Sequence, residues 1–338
     1  MSDVKITLAC WNYDRTRALM DGSVKPDGIE LRYENLFPAD NFPRMMRDRE
    51  FEAAELGLTF YLATLHLDDP PFVAIPVYPI RIFCHSAIYI NTNSGIEEPK
   101  DLIGKRIGEF FLYGHDAGTW SKGILSDHYG VPIDSYSNYI GGVEHPTPPL
   151  EWYPLKPPSQ LSVQHIGTGT TLDAMLDAGE IDALFSALVP ASLRRKSKNV
   201  RRLFPDFEAA ERSYFRQTGI FPIQHIVAIR KDVYQKHPWV ALSLYKAFCA
   251  AKERCYRMLL DAGSPKASFA WLQPMIEEEQ RIFGKDWYSY GVEANRPTLE
   301  AVCQYTHEHA LTFRRLKIEE LFAPSTMRDI PLGEGQHV

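Results

Sequence analysis

Apolar residues along this chain fall into short runs separated by polar turns, and the runs alternate with segments whose apolar positions recur three and four apart. The short runs predict strands at Val4 to Cys10, Ile29 to Tyr33, Ala53 to Leu56 and Val73 to Val77, the last stopped by Pro76 and Pro79. Between them, Asn41 to Asp48 carries Phe42, Met45 and Met46 on one face and predicts a helix, as does Phe60 to Leu67. The alternation resumes beyond Gly95. A turn and short helix lead into a strand ending at Gly108, followed by a helix over Trp120 to Tyr129 and a strand over Tyr136 to Ile140. A helix over Leu172 to Ala178 and strands over Ile181 to Phe185 and Val200 to Phe204 complete this part. Val143 to Ser159 holds Pro146, Pro148, Pro149, Pro154, Pro157 and Pro158, so it predicts an extended loop. Near the end the pattern turns helical, over Pro238 to Asp261, Lys266 to Phe283 and Pro297 to Leu316, with Pro238 and Pro297 suited to first-turn positions.

Two apolar runs lie outside this alternation and organise it. Thr218 to Arg230 has the β-branched density of a buried strand, with a bend at Gly219 and Pro222 and two polar residues, Gln224 and His225, inside it. Arg81 to Asn91 is a second strand-like run with a histidine, His85. The segment between them reads as a complete α/β unit. The two runs therefore predict crossovers that leave one α/β lobe, enter a second and return. The first lobe would be discontinuous, residues 1–89 and 221–338 with the C-terminal helices, and the second would be residues 90–220. A cleft between the lobes is where a small ligand would sit.

A length of 338 residues suits two cores, and 45% apolar with 24% charged residues is the composition of a soluble globular chain. The net charge of −6 is scattered, and the one basic run, Leu193 to Arg202, reads as a solvated surface, so nucleic acid is not an expected partner. No apolar run approaches the roughly 20 residues of a membrane helix, and no basic segment followed by an apolar one opens the sequence. Cys10, Cys84, Cys249, Cys255 and Cys303 lack paired metal-ligand spacing and fit reduced thiols. These features predict a cytoplasmic protein; whether it forms a homo-oligomer is open.

The motifs carry a resemblance. Thr7-Leu-Ala-Cys-Trp-Asn-Tyr-Asp-Arg-Thr-Arg17, Gly179-Glu-Ile-Asp-Ala183, Arg202-Leu-Phe-Pro-Asp206 and Thr218-Gly-Ile-Phe-Pro-Ile-Gln-His225 resemble the 4,5-dihydroxyphthalate decarboxylase family. So do Phe283-Gly-Lys-Asp-Trp-Tyr-Ser-Tyr-Gly291 and Glu319-Glu-Leu-Phe-Ala-Pro324. Leu112 to Trp120 departs from the plainer pattern expected there. The element order resembles the type II periplasmic-binding-protein fold. The resemblance implies a carboxy-lyase that removes one carboxylate from a hydroxylated aromatic dicarboxylate, 4,5-dihydroxyphthalate, and leaves protocatechuate. Fold alone does not imply catalysis, so a solute-binding protein for an aromatic acid or similar small anion is the alternative.

Such a reaction needs groups that hold carboxylates, an acid for the ring carbon, and stabilisation of the developing charge. Arg15 and Arg81 are the candidate clamps, because guanidinium forks match carboxylates. His225 and His85 are the candidate acids, with His115 and Asp116 next. In an extended strand Arg81 and His85 would share one face, about 13 Å apart. Trp11, Tyr13 and Trp120 are candidate stacking partners for a ring, and Asn12 lies among them. Gly118 and Thr119 would open a helix whose backbone N–H groups face a carboxylate. Thr59, Ser186 and Gly219, at strand ends or bends, are further candidate substrate contacts. Gly-X-Gly-X-X-Gly, Walker, Gly-X-Ser-X-Gly and His-Glu-X-X-His motifs are absent from the sequence. His307 and His309 lie two apart and would point to different sides of a helix. No cofactor is predicted, with a divalent ion bridging substrate oxygens left open. A pyrimidine-precursor synthase on the same scaffold lacks its cysteine cluster.

Overall fold

A computed structural model of the chain describes residues 3–150, 159 and 161–333. Pro154, Pro157 and Pro158 of the expected proline loop lie outside the described residues. The strands, in chain order, are β1 Val4–Cys10, β2 Ile29–Asn35, β3 Ala53–Gly57, β4 Phe72–Ile75, β5 Ile88–Asn91 and β6 Arg106–Phe110. They continue as β7 Ser137–Gly141, β8 Val163–His165, β9 Ala183–Phe185, β10 Val200–Arg202 and β11 His225–Arg230. One sheet has the order β2-β1-β3-β11-β4 and the other β10-β5-β9-β6-β7-β8. In the first, β1 runs parallel to β2 and β3, whereas β11 is antiparallel to β3 and β4. In the second, β6 is parallel to β7 and β9, whereas β5 is antiparallel to β9 and β10. The two antiparallel strands are those reached from the other sheet, which is the signature of a chain that crosses out and back.

The two crossing segments lie side by side. Gln224 N–H donates to Ile80 O at 2.9 Å, Ile82 N–H donates to Pro222 O at 3.2 Å, and Arg81 bridges Ile223. Their strands are shorter than the apolar runs suggest. Thr218 ends a helix, Phe207–Thr218, and Gly219 caps it with φ 67°, a left-handed conformation that glycine adopts without strain. Pro222 has no N–H to give to a ladder, so β11 begins at His225. On the outward segment a turn from Cys84 O to Ala87 N–H interrupts the run, and β5 begins only at Ile88. The expectation that Arg81 and His85 share a strand face therefore fails, because His85 sits in the bend.

The helix Phe207–Thr218 is absent from the sequence reading. Only Tyr214 on it is buried, so its apolar stripe is weak, although Asp206 caps it by accepting from Ala209 N–H at 3.1 Å. The last long helices are Trp239–Leu259, Leu272–Phe283 and Arg296–Glu308. The last of these stops before Leu316, where Ala310 turns to φ 55°.

One large core joins the first sheet to the helices Trp239–Leu259 and Arg296–Glu308. It also takes in Ala117, Trp120 and Ile124 from the helix Asp116–Tyr129, which follows β6 of the second sheet. Two smaller cores cover the faces of the second sheet. Among the described residues no helix is long and apolar enough to cross a membrane.

Candidate active site

The site begins with a buried acid in a central strand. β3 reads Ala-Ala-Glu-Leu-Gly and every residue is buried. Side chains alternate along a strand, so Glu55 and Gly57 project to one face. β11 pairs with β3 so that His225 stands opposite Gly57, on that same face. His225 Nδ1 meets Glu55 Oε1 at 2.5 Å, and Tyr13 hydroxyl donates to the same oxygen at 2.6 Å. Trp11 N–H donates to Glu55 Oε2 at 3.0 Å. Burial alone would raise the Glu55 carboxyl; His225, the Trp11 amide and the Tyr13 hydroxyl outweigh it and hold the group below the usual carboxylate range. An ionised Glu55 accepts only, so Nδ1 carries the proton and Nε2 is the nitrogen left for a ligand.

His225 lines a cleft of about 230 Å³. Its walls are Phe37, Phe42, Phe60, Phe110 and Phe111, with Gln224, His115 and Asp116 as the other polar lining. Phe42 stands edge-on to the His225 ring at 5.2 Å, and Phe110 edge-on to His115 at 5.0 Å. Phe111 adopts φ 73°, unusual for a bulky side chain, and its N–H is held by Gly141 O at 2.7 Å. Asp116 Oδ1 accepts from Thr59 N–H at 2.8 Å, while Oδ2 is buried without a partner. Burial raises this carboxyl to about 6, against the opposing pull of His225 and the Thr59 amide. Burial likewise pushes His115 down to about 3, so it is neutral across the ordinary pH range. Among the described lining residues there is no lysine or arginine. No group of three or more His, Cys, Asp or Glu among the described residues could hold a metal ion.

An aromatic slot with one oriented imidazole suits a flat ring bearing an acidic group, and relatives of the chain sharpen that. No family model matches the sequence. The chain is, however, 32% identical over 334 residues to the 4,5-dihydroxyphthalate decarboxylase of Comamonas testosteroni, spanning 98% of this chain and 100% of that protein. The chain belongs to the 4,5-dihydroxyphthalate decarboxylase family. The Pseudomonas putida member is 33% identical over 218 residues, 64% of this chain and 83% of its own length. Among solved structures, a periplasmic sulfonate-binding protein of Methylobacillus flagellatus superposes with a TM-score of 0.54 at 13% identity, covering 95% of this chain and 92% of that one. At that identity the likeness speaks for the fold alone, and it bears out the expected periplasmic-binding-protein architecture.

Within this decarboxylase-family chain the structure gathers some of the candidate residues and disperses others. Trp11 and Tyr13 meet His225 through Glu55, and Trp11 also packs edge-on to Phe37 of the cleft wall at 5.2 Å. Asn12 is exposed. His115 and Asp116 line the cleft, and Thr59 reaches it by holding Asp116. Thr119 is buried on the same helix with its hydroxyl unpartnered, and Gly118 packs under Glu109, whose carboxylate would lie 2.2 Å from an added Cβ.

The remaining candidates do not line the cleft. Arg15 donates to Asp14 Oδ1 and Pro79 O and lies 3.8 Å from the Tyr288 ring centre. Arg81 donates to Ser289 O and Phe221 O and stacks on Phe221 at 4.3 Å. Both guanidinium groups thus hold the chain to its C-terminal part rather than facing the cleft. His85 is enclosed by Tyr129, Phe204 and Tyr214. Trp120 is core, its Nε1–H donating to Ile223 O at 2.8 Å. Ser186 closes a local turn with Leu188, and Gly219 is a helix cap. Sequence reasoning missed Glu55. Its only signal is a single acid inside an otherwise apolar strand, and such an acid needs a buried partner.

Proposed function

We propose that this chain decarboxylates a hydroxylated aromatic dicarboxylate, with 4,5-dihydroxyphthalate, the compound for which its relatives are named, as substrate and protocatechuate as product. The observation that carries the reading is the Glu55–His225 pair, which presents Nε2 to an aromatic-lined cleft. In this reading the ring lies between the phenylalanine walls, held between a first lobe of residues 1–89 and 221–338 and a second of residues 90–220. His225, as imidazolium, gives its Nε2 proton to the ring carbon that bears the leaving carboxylate. The carbon–carbon bond then breaks, its electron pair restores the ring, and carbon dioxide departs. His225 ends neutral and regains a proton from water. Glu55 keeps the Nδ1 proton in place, so that the imidazole neither flips nor drifts between turnovers.

All five cysteines are free and buried, which supports a reducing compartment and so a cytoplasmic enzyme. A protein that only binds and delivers an anion needs donors but no oriented acid, and the Glu55–His225 pair favours the enzyme over that alternative. The test is direct: incubate the protein with 4,5-dihydroxyphthalate and follow carbon dioxide and protocatechuate. Release of both supports the carboxy-lyase. Saturable binding with no release assigns the chain to the solute-binding class.

A further inference from the structure

A dicarboxylate poses a problem for this cleft. His225 can meet one carboxylate, but among the described lining residues there is no guanidinium or ammonium for the other. What stands beside His225 instead is a second carboxyl. Gly57, the cross-strand partner of His225, leaves a gap on the face they share. Asp116 fills it, with Oδ2 only 2.5 Å from where a Gly57 Cβ would be. The imidazole is thus attended by two acids from different places in the chain: Glu55 bonded to Nδ1, and Asp116 in the space Gly57 vacates. Glu55 has its oxygens occupied by His225, Tyr13 and Trp11. Asp116 has one oxygen on Thr59 N–H and the other buried and unpartnered. A buried polar atom left without a partner costs free energy unless something else in the working cycle satisfies it.

Resting on the dicarboxylate reading, we propose that Asp116 receives the second carboxylate of the substrate as a neutral carboxylic acid, donating its Oδ2–H, so that the dianion binds together with a proton. Two carboxyl groups in contact share one proton rather than both ionising, so the pair itself favours this state. The free protein is already close to it, since burial raises Asp116 to about 6. The groups around Asp116 are His225 from β11, Thr59 from the helix Leu58–Thr64, the Cys84 thiol, and His115, which precedes its helix and lines the same cleft. His115 is kept neutral by burial, and burial pushes Cys84 far up, so neither of these changes charge near neutrality. The sign follows. Below about 6 the proton is already on Asp116 and binding takes none up there. Above it each bound dianion must collect one, and affinity falls about tenfold per pH unit through this group.

The test uses phthalate, which lacks the ring hydroxyls, in calorimetry at about pH 7.5, above the Asp116 range, with two buffers of different ionisation heat. The parent should take up protons on binding. Asp116→Asn keeps a donor in place, so its affinity should stay within about tenfold while uptake falls by about one proton per ligand. Equal uptake in Asp116→Asn and parent overturns the proposal and leaves the decarboxylase reading standing. A parent that does not bind phthalate overturns the dicarboxylate reading and this proposal with it. Gly57→Ala keeps every titrating group but closes the gap, and it decides the matter should Asp116→Asn fold poorly. Its phthalate affinity should fall at least about tenfold, the worth of one charge-assisted hydrogen bond, and parental affinity with parental uptake overturns the proposal.

Discussion

His225 and His85 stand on the two segments that carry the chain between its sheets, and their surroundings differ in kind. His225 has a carboxylate at 2.5 Å on one ring nitrogen and a cleft beside it. His85 has aromatic rings on three sides, at 5.8, 5.0 and 5.4 Å, and no hydrogen-bond partner on either nitrogen. Burial, with His128 as a lesser cause, pushes His85 down to about 4, so at neutral pH it is an uncharged plug. Both histidines are enclosed. Only a partner that fixes which nitrogen holds the proton turns enclosure into chemistry.

The comparison breaks most visibly in turnover. His225→Gln should lower kcat by about 10²–10⁴-fold, the usual worth of a positioned acid, with substrate affinity much less changed. His85→Gln should leave kcat near the parent value, and an equal loss in both variants would mean that the two histidines do not differ in role. The next effect concerns pH. A His85 that titrates at about 4 when folded and about 6.5 when unfolded favours unfolding as pH falls between those values, by up to about 3 kcal/mol at the acid end. His85→Phe should remove that loss, so urea melts of variant and parent should diverge in the variant's favour from pH 7 down to about 4. A constant gap between them would mean that His85 does not sit neutral in the fold.

Glu55→Gln tests the other side. It replaces a charged acceptor by a neutral one and should cost about 10- to 100-fold in kcat, less than loss of His225 itself, with a changed pH–rate profile. An unchanged profile would reduce Glu55 to packing. The smallest effect is expected at Arg81. Arg81→Lys gives up its fork to Phe221 O and Ser289 O and should cost about 1–2 kcal/mol of stability with KM little altered. A large rise in KM would restore Arg81 as a carboxylate clamp.

The alternation of apolar runs and helical stripes was enough to place most strands and the paired crossings. Strand β11 is legible because Ile226 to Ile229 are continuously apolar and fully buried. The site was legible only in part. His225, His115, Asp116, Trp11 and Tyr13 carry recognisable chemistry and could be named one by one. Glu55 could not, because nothing local marks it: its partner is 170 residues away, and only the β3–β11 register brings them together. Arg15 and Arg81 misled for the converse reason. A guanidinium beside a predicted cleft looks free until the C-terminal Tyr288, which the pattern could not position, packs against it. The exchange of a strand face for a bend at His85 came from a turn without glycine or proline to announce it.

Strand β11 also has a bearing on how the chain comes to be folded. Among the described residues it is the strand that joins β3 to β4, so the first sheet stays in two pieces until His225–Arg230 arrives. A nascent chain emerging from the ribosome meets that condition only after the whole second sheet has been synthesised. Until then β3 offers an unpaired edge, Ala53–Gly57, with Glu55 in the middle of it still lacking its His225 partner. Long-range closure of this kind is slow, and open edges invite misassembly. The acid that would make such an edge a poor template for aggregation is the same one that later seats the imidazole.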